Sequence, residues 1–228
     1  MSLTQAQHVF ASIHESALND VLTAFFNARP RYLRYGSPAF VPSTNVTATQ
    51  MAAIGFPGLP GGIDWAVRFS IPRIDLFRQT DPLPPQLTLP PGGFSLRTDV
   101  ELCVNCVHRR DNKNTGASHD NPNNPGQGQG LGQVTCTRLQ VFAIGHLDGW
   151  NDSSGNGEIT FRVDAVELVD ITPDSLESVL ECVIRMLLDA VLSQVHLPLA
   201  ALRAGAFHLA VTQGPLIEDD HLLARGNV

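Results

Sequence analysis

With 43% apolar and 16% charged side chains, a chain of 228 residues can bury a sizeable core and is too poor in charge to stay disordered. Its formal net charge of −7, with Lys113 as the sole lysine, disfavours phosphate backbones and anionic membranes, so a nucleic-acid partner is not expected. No run approaches the roughly 20 apolar residues of a transmembrane segment. The polar stretch Met1–Gln7 lacks the basic-then-apolar order of a secretory signal, which points to the cytoplasm unless a leader has been removed.

The first predicted element is a helix from Thr4 to Asn27. Val9, Phe10, Ile13, Ala17, Val21, Phe25 and Phe26 recur at three- and four-residue spacing, and Leu18 and Leu22 widen the stripe. Arg29-Pro30 ends it, because the residue before proline avoids the α region. From Pro30 to Pro60 no period is sustained, and the segment reads as extended with a short strand.

Strand patterns follow. Ile63, Trp65, Val67, Phe69 and Ile71 alternate with more polar residues, and Pro72 ends that strand. Asp81 to Gly93 reads as a proline-rich connector. A strand from Phe94 to His108 and another from Gln133 to Leu147, which carries Leu139 and Val141, form a hairpin with an exposed, mobile Asn- and Gly-rich tip at 109–132. After a polar turn, Ile159, Phe161, Val163 and Ala165 mark a further strand, which makes an antiparallel meander.

The clearest helix comes next. Thr172 is its N-cap, Pro173 its first position, and Leu176, Val179, Leu180, Val183, Ile184, Leu187, Leu188, Val191, Leu192 and Val195 line it until Pro198. Short strands at Ala206–Val211 and His221–Ala224 complete the chain. Together these elements predict a single α+β domain over residues 1–228, a long antiparallel sheet packed on two long amphipathic helices.

This order resembles the tubular lipid-binding superfamily, the family of bactericidal/permeability-increasing proteins. The end of the chain looks like one half-module of it, a helix followed by the strand Ala206–Val211, an acidic turn and a last strand from Asp220 to Gly226. The resemblance implies a hydrophobic groove for acyl chains, sterols or similar ligands.

Catalytic signatures are sparse. Cys103, Cys106, His108 and Cys136 have the residue types of a tetrahedral zinc set, but an odd spacing puts Cys103 and Cys106 on opposite faces of a strand. The cysteines therefore read as reduced, partly buried thiols, and no metal is expected. His119-Asp120 and Glu218-Asp219-Asp220-His221 read as solvated loop charges. No nucleophile elbow, P-loop or dinucleotide fingerprint occurs, so no catalytic residue and no cofactor are expected.

The expected function is non-catalytic binding or transport of an apolar, lipid-like ligand in a groove between helices and sheet. Trp65, Val67, Phe69, Leu139, Val141, Leu180, Ile184, Leu187 and Leu188 are the candidate lining residues. The alternative is an interaction subunit of a larger assembly, homo-oligomeric or with a protein partner and without a ligand cavity. On that reading the Tyr- and Arg-rich segment from Arg29 to Phe40 is its contact surface.

Overall fold

A computed structural model of the chain describes residues 9–56, 59–76, 82–105, 134–151, 157–169, 174–198, 210–218 and 220–227. The first half holds β1 (Val9–His14), α1 (Glu15–Ala28), a 3-10 turn at Pro30–Leu33, β2 (Arg34–Gly36), β3 (Thr49–Gln50), β4 (Ile54–Phe56), β5 (Leu59–Phe69), β6 (Arg73–Asp75) and β7 (Phe94–Asn105). Then come β8 (Thr135–Asn151), β9 (Gly157–Leu168), α2 (Asp174–Leu192), β10 (Leu197–Pro198), β11 (Ala210–Glu218) and β12 (His221–Asn227).

Where the periodicity predicts one helix from Thr4, the described chain makes a strand and then a shorter helix. Phe10, Ala11 and Ile13 pair antiparallel with Arg225, Ala224 and Leu222 of β12. The cause lies in the residues: Val9, Phe10 and Ile13 are β-branched or aromatic and favour a pleated surface. Helix begins only at Glu15, whose carboxylate suits the positive end and whose N–H donates to the Asp220 carbonyl at 2.9 Å. The expected start at Thr4 lies outside the described residues, as do the N-cap Thr172 and the hairpin tip at 109–132.

The expected fold class is corrected accordingly. Among the described residues strand outweighs helix about two to one, and the two α-helices there have only 14 and 19 residues. A long antiparallel sheet packed on two long helices is not what the chain adopts. The sheet is also mixed, because β2 and β3 run parallel, with Tyr35 beside Thr49. The tail strand predicted at Ala206–Val211 is described from Ala210 and continues to Glu218.

The chain groups into two compact units: Met1–Phe25, Pro72–Thr98 and Gln140–Val228 in the first, Phe26–Ile71 and Asp99–Leu139 in the second. In the first, β1, β12 and β11 form one sheet, while β10, β9, β8 and the start of β7 lie in order in another, with β6 on β7. Leu18, Leu22, Ile74, Phe94, Val141, Phe161 and Leu188 are all at most 1% exposed, and the Phe94 and Phe161 rings meet edge to face at 5.5 Å. Gly145 sits at a bulge in β8, where a Cβ would strike the Arg162 carbonyl and the Phe94 ring.

Helix α1 is fastened to the short strand β6 by side chains one turn apart. The Asn19 amide donates to the Ile74 carbonyl at 2.8 Å and accepts the Ile74 N–H at 2.9 Å, and the Glu15 carboxylate accepts the Leu76 N–H at 3.1 Å. The proline-rich connector has a packing role. Leu87 joins Phe142 and Ile144 in a buried cluster flanked by Leu83 and Leu89, so β8 is covered on both faces.

In the second unit β5 pairs with the end of β7 and with β2, and Tyr35 meets Phe69 edge to face at 6.4 Å. Burial, then the neighbouring Tyr32, pushes the Tyr35 hydroxyl up to about 12. Ser37, fully buried, donates to Asp64 at 2.8 Å and accepts the Trp65 N–H at 3.1 Å, while the Trp65 indole donates to the Ala52 carbonyl. These bonds fix the irregular segment after β2. Cys103 and Cys136 are joined by a disulfide, which corrects the reading of both as reduced thiols.

Candidate functional site

Helix α2 is apolar on two faces. Its inner face buries Ile184, Leu187, Leu188, Val191 and Leu192 and packs on β9. Two carboxylates from the helix finish the strand: Asp189 accepts the Val163 N–H at 3.2 Å and Glu181 accepts the Leu168 N–H at 3.3 Å. Backbone donors on β9 that would otherwise be left to water are thereby satisfied.

The outer face of the same helix is also apolar. Val179 and Met186, seven residues and therefore two turns apart, are each 60% exposed, with the free thiol of Cys182 exposed between them. Ala190 extends this stripe and half-buried Val183 borders it. A helix packed on one side normally turns polar residues outward, so a second apolar stripe is the feature that folding does not explain.

The predicted lining residues are placed differently from a single wall. Trp65, Val67, Phe69 and Leu139 are buried in the second unit, at 8%, 2%, 3% and 7% exposure. Val141, Ile184, Leu187 and Leu188 are buried in the first unit, and Leu180 is half-buried there. The residues with apolar surface on offer, Val179, Cys182 and Met186, are ones that the sequence reading leaves in the core stripe or passes over. A second set at i, i+3 and i+7 on the far side of the wheel is the signal that finds them.

Polar clusters lie on β8, β9 and α2. His146 on β8 holds Nδ1 at 2.9 Å from both oxygens of Asp164 on β9 and Nε2 at 3.3 Å from Asp148. The hydrogen bond to Asp164 is the main reason its imidazole titrates above the usual range, opposed by burial and assisted by both carboxylate charges. Arg162 lies between Asp148 at 3.4 Å and Asp189 at 3.6 Å. At the base of α2, Glu167, Glu177 and Glu181 place carboxylate oxygens within 4.8 Å of one another. Burial, then the charges of Glu181 and Glu177, raises the Glu167 carboxyl above its ordinary value.

The other polar motifs stay apart from α2. Glu218 pairs with buried Arg225 at 3.6 Å, and His221 meets His14 edge to face at 4.9 Å. His119-Asp120 and His108 lie outside the described residues. In the Tyr- and Arg-rich segment, Arg31 stacks on Tyr32 at 5.0 Å at the surface, while Tyr35 and Ser37 are interior. No helix of the described residues is long and apolar enough to cross a membrane. Neither a protein-family model nor a curated protein matches this chain.

Proposed function

We propose that the protein is a non-catalytic binder of an apolar, lipid-like ligand, held along the outer face of α2. The observation that carries this reading is the second stripe on that helix, with Val179 and Met186 each 60% exposed opposite a fully packed face. Leaving such side chains in water forgoes burial worth about 25 cal/mol per Å² of apolar area, so a ligand that covers them gains what folding leaves behind.

The residue types favour a small apolar molecule over a protein. Val179, Cys182, Val183, Met186 and Ala190 include a flexible thioether and no aromatic ring, whereas protein interfaces concentrate their affinity in Trp, Tyr and Arg anchors. Native mass spectrometry of the freshly purified protein, followed by organic extraction, tests the reading. A bound apolar molecule at constant stoichiometry is expected, lost in the double variant V179Q/M186Q while its circular dichroism stays unchanged. An apo monomer overturns ligand binding. An apo oligomer that the same variant dissociates replaces it with the assembly-subunit reading.

A further inference from the structure

The second unit contains a feature unrelated to α2. From Tyr35 to Ile63, between Arg34 and Asp64, the chain has no Asp, Glu, Lys, Arg or His. With 16% charged residues overall, a stretch of that length would ordinarily carry several. Its middle is nevertheless at the surface, since Pro42 to Thr47 are all exposed, Val46 at 84%. Protein surfaces are usually kept hydrated by interspersed charges, and this one is not.

At its most exposed point lies Asn45-Val46-Thr47, an Asn-x-Thr triplet without proline in the middle, the acceptor pattern for N-linked sugar. The triplet is folded as a turn. The Asn45 N–H donates to the Pro42 carbonyl at 2.9 Å, and the Thr47 N–H and hydroxyl both donate to Asn45 Oδ1, at 2.8 and 2.9 Å. Two donors on Oδ1 fix the amide plane, while Nδ2 makes no hydrogen bond among the described residues. A second triplet, Asn151-Asp152-Ser153, begins inside the β8–β9 ladder, where Asn151 stands opposite Gly157. An independent observation in the same unit is the disulfide between Cys103 and Cys136. Structural disulfides persist in oxidising compartments, and secreted chains are the ones whose surface Asn-x-Thr triplets meet a sugar donor.

We propose that Asn45 is an N-glycosylation site, modified as the chain passes through an oxidising secretory compartment. The donor is an oligosaccharide carried on a polyisoprenyl diphosphate, and a membrane-bound transferase supplies the base. Asn45 Nδ2 attacks the anomeric carbon and gives up one proton to that base. The new N–C bond forms as the bond from the anomeric carbon to the diphosphate oxygen breaks, and the lipid diphosphate leaves with the electron pair. The product places a bulky, hydrated group on the charge-free surface beside Val46, which supplies the hydration that side-chain charges provide elsewhere. The hydroxyl at Thr47 is part of the acceptor because it holds Oδ1, so serine can replace it and alanine cannot.

The full chain is isolated from its own source cells, digested without reduction and mapped by peptide mass spectrometry. An oligosaccharide on the Asn45 peptide is expected, together with a linked Cys103–Cys136 pair, and peptide N-glycanase should release the sugar and leave aspartate at position 45. Expressed in the same cells, N45Q and T47A should lose the sugar and T47S should keep it, with circular dichroism unchanged in all three. V179Q/M186Q should carry the same sugar as wild type, which separates this site from the reading of α2. An unmodified Asn45 peptide in the wild-type chain overturns the proposal, whether the two cysteines are linked or reduced. So does sugar on Asn151 alone, or sugar retained at Asn45 in T47A, because the turn at Thr47 is then not what is recognised.

Discussion

At the scale of single residues, the energetics turn on buried polar atoms and their partners. Asn105 ends β7 at 1% exposure, and neither its amide nitrogen nor its amide oxygen meets a hydrogen-bond partner among the described residues. An unsatisfied buried amide carries a desolvation penalty, and a side chain of similar reach without polar atoms escapes it. Asn105→Val should therefore raise stability by about 1–2 kcal/mol, read as a later midpoint in urea with an unchanged slope. An earlier midpoint would show that the amide is satisfied in solution. His146 behaves differently, because its partners are at the surface and it titrates. Its folded pKa lies above the ordinary 6.5, so the native state holds the proton more tightly than the unfolded chain. The stabilisation is complete below the unfolded value and disappears as pH rises through the folded one. Wild type should melt above His146→Gln at pH 5.5, and the gap should close by pH 8.5. A gap that is constant across that range would assign the difference to packing.

At the scale of elements, α2 and β9 are joined by carboxylates that do two incompatible things. Glu181 accepts a backbone N–H from β9 and at the same time raises the Glu167 carboxyl, together with burial, the larger cause, and Glu177. An acid with a raised folded pKa favours folding below its unfolded value and loses that contribution as pH rises, so near neutrality the cluster opposes the fold. Glu167→Gln should melt higher than wild type at pH 7.5 and coincide with it near pH 4; a difference of the same size at both pH values would remove charge from the account. Strands β5, β7 and β9 are legible in the sequence because Trp65, Val67 and Phe69, or Ile159, Phe161 and Val163, alternate without interruption. Val9 to Ile13 fits a helical stripe equally well, and what makes it a strand is β12, more than 200 residues away. Leu83, Leu87 and Leu89 are hidden among prolines, though they cover β8. On α2 the pattern marks a wide apolar helix and gives no warning that Val179 and Met186 face outward, since burial of one side depends on β9.

At the scale of the whole molecule, redox state and stability are coupled. Cys103 and Cys136 are separated by 33 positions and lie on neighbouring strands. Period-two spacing already turns Cys103 away from Cys106, but the register that brings Cys136 within a Cα distance of 4.1 Å comes from the fold. Closing a loop of that length restricts the unfolded chain and stabilises the native state by about 3–4 kcal/mol on the chain-entropy account. That gain exists only where the bond persists, in oxidising surroundings, whereas the cytosol keeps such thiols reduced. The same fold therefore has two stabilities, and the compartment selects between them. Adding dithiothreitol to wild type should lower its melting temperature by several degrees, the C103A/C136A variant should melt at or below the reduced wild type, and reductant should not move the variant at all. If reductant shifts both proteins equally, the effect lies elsewhere than this bond. If it shifts neither while mass spectrometry confirms reduction, the loop is already constrained in the unfolded chain, and the disulfide matters for holding β7 to β8 and not for overall stability.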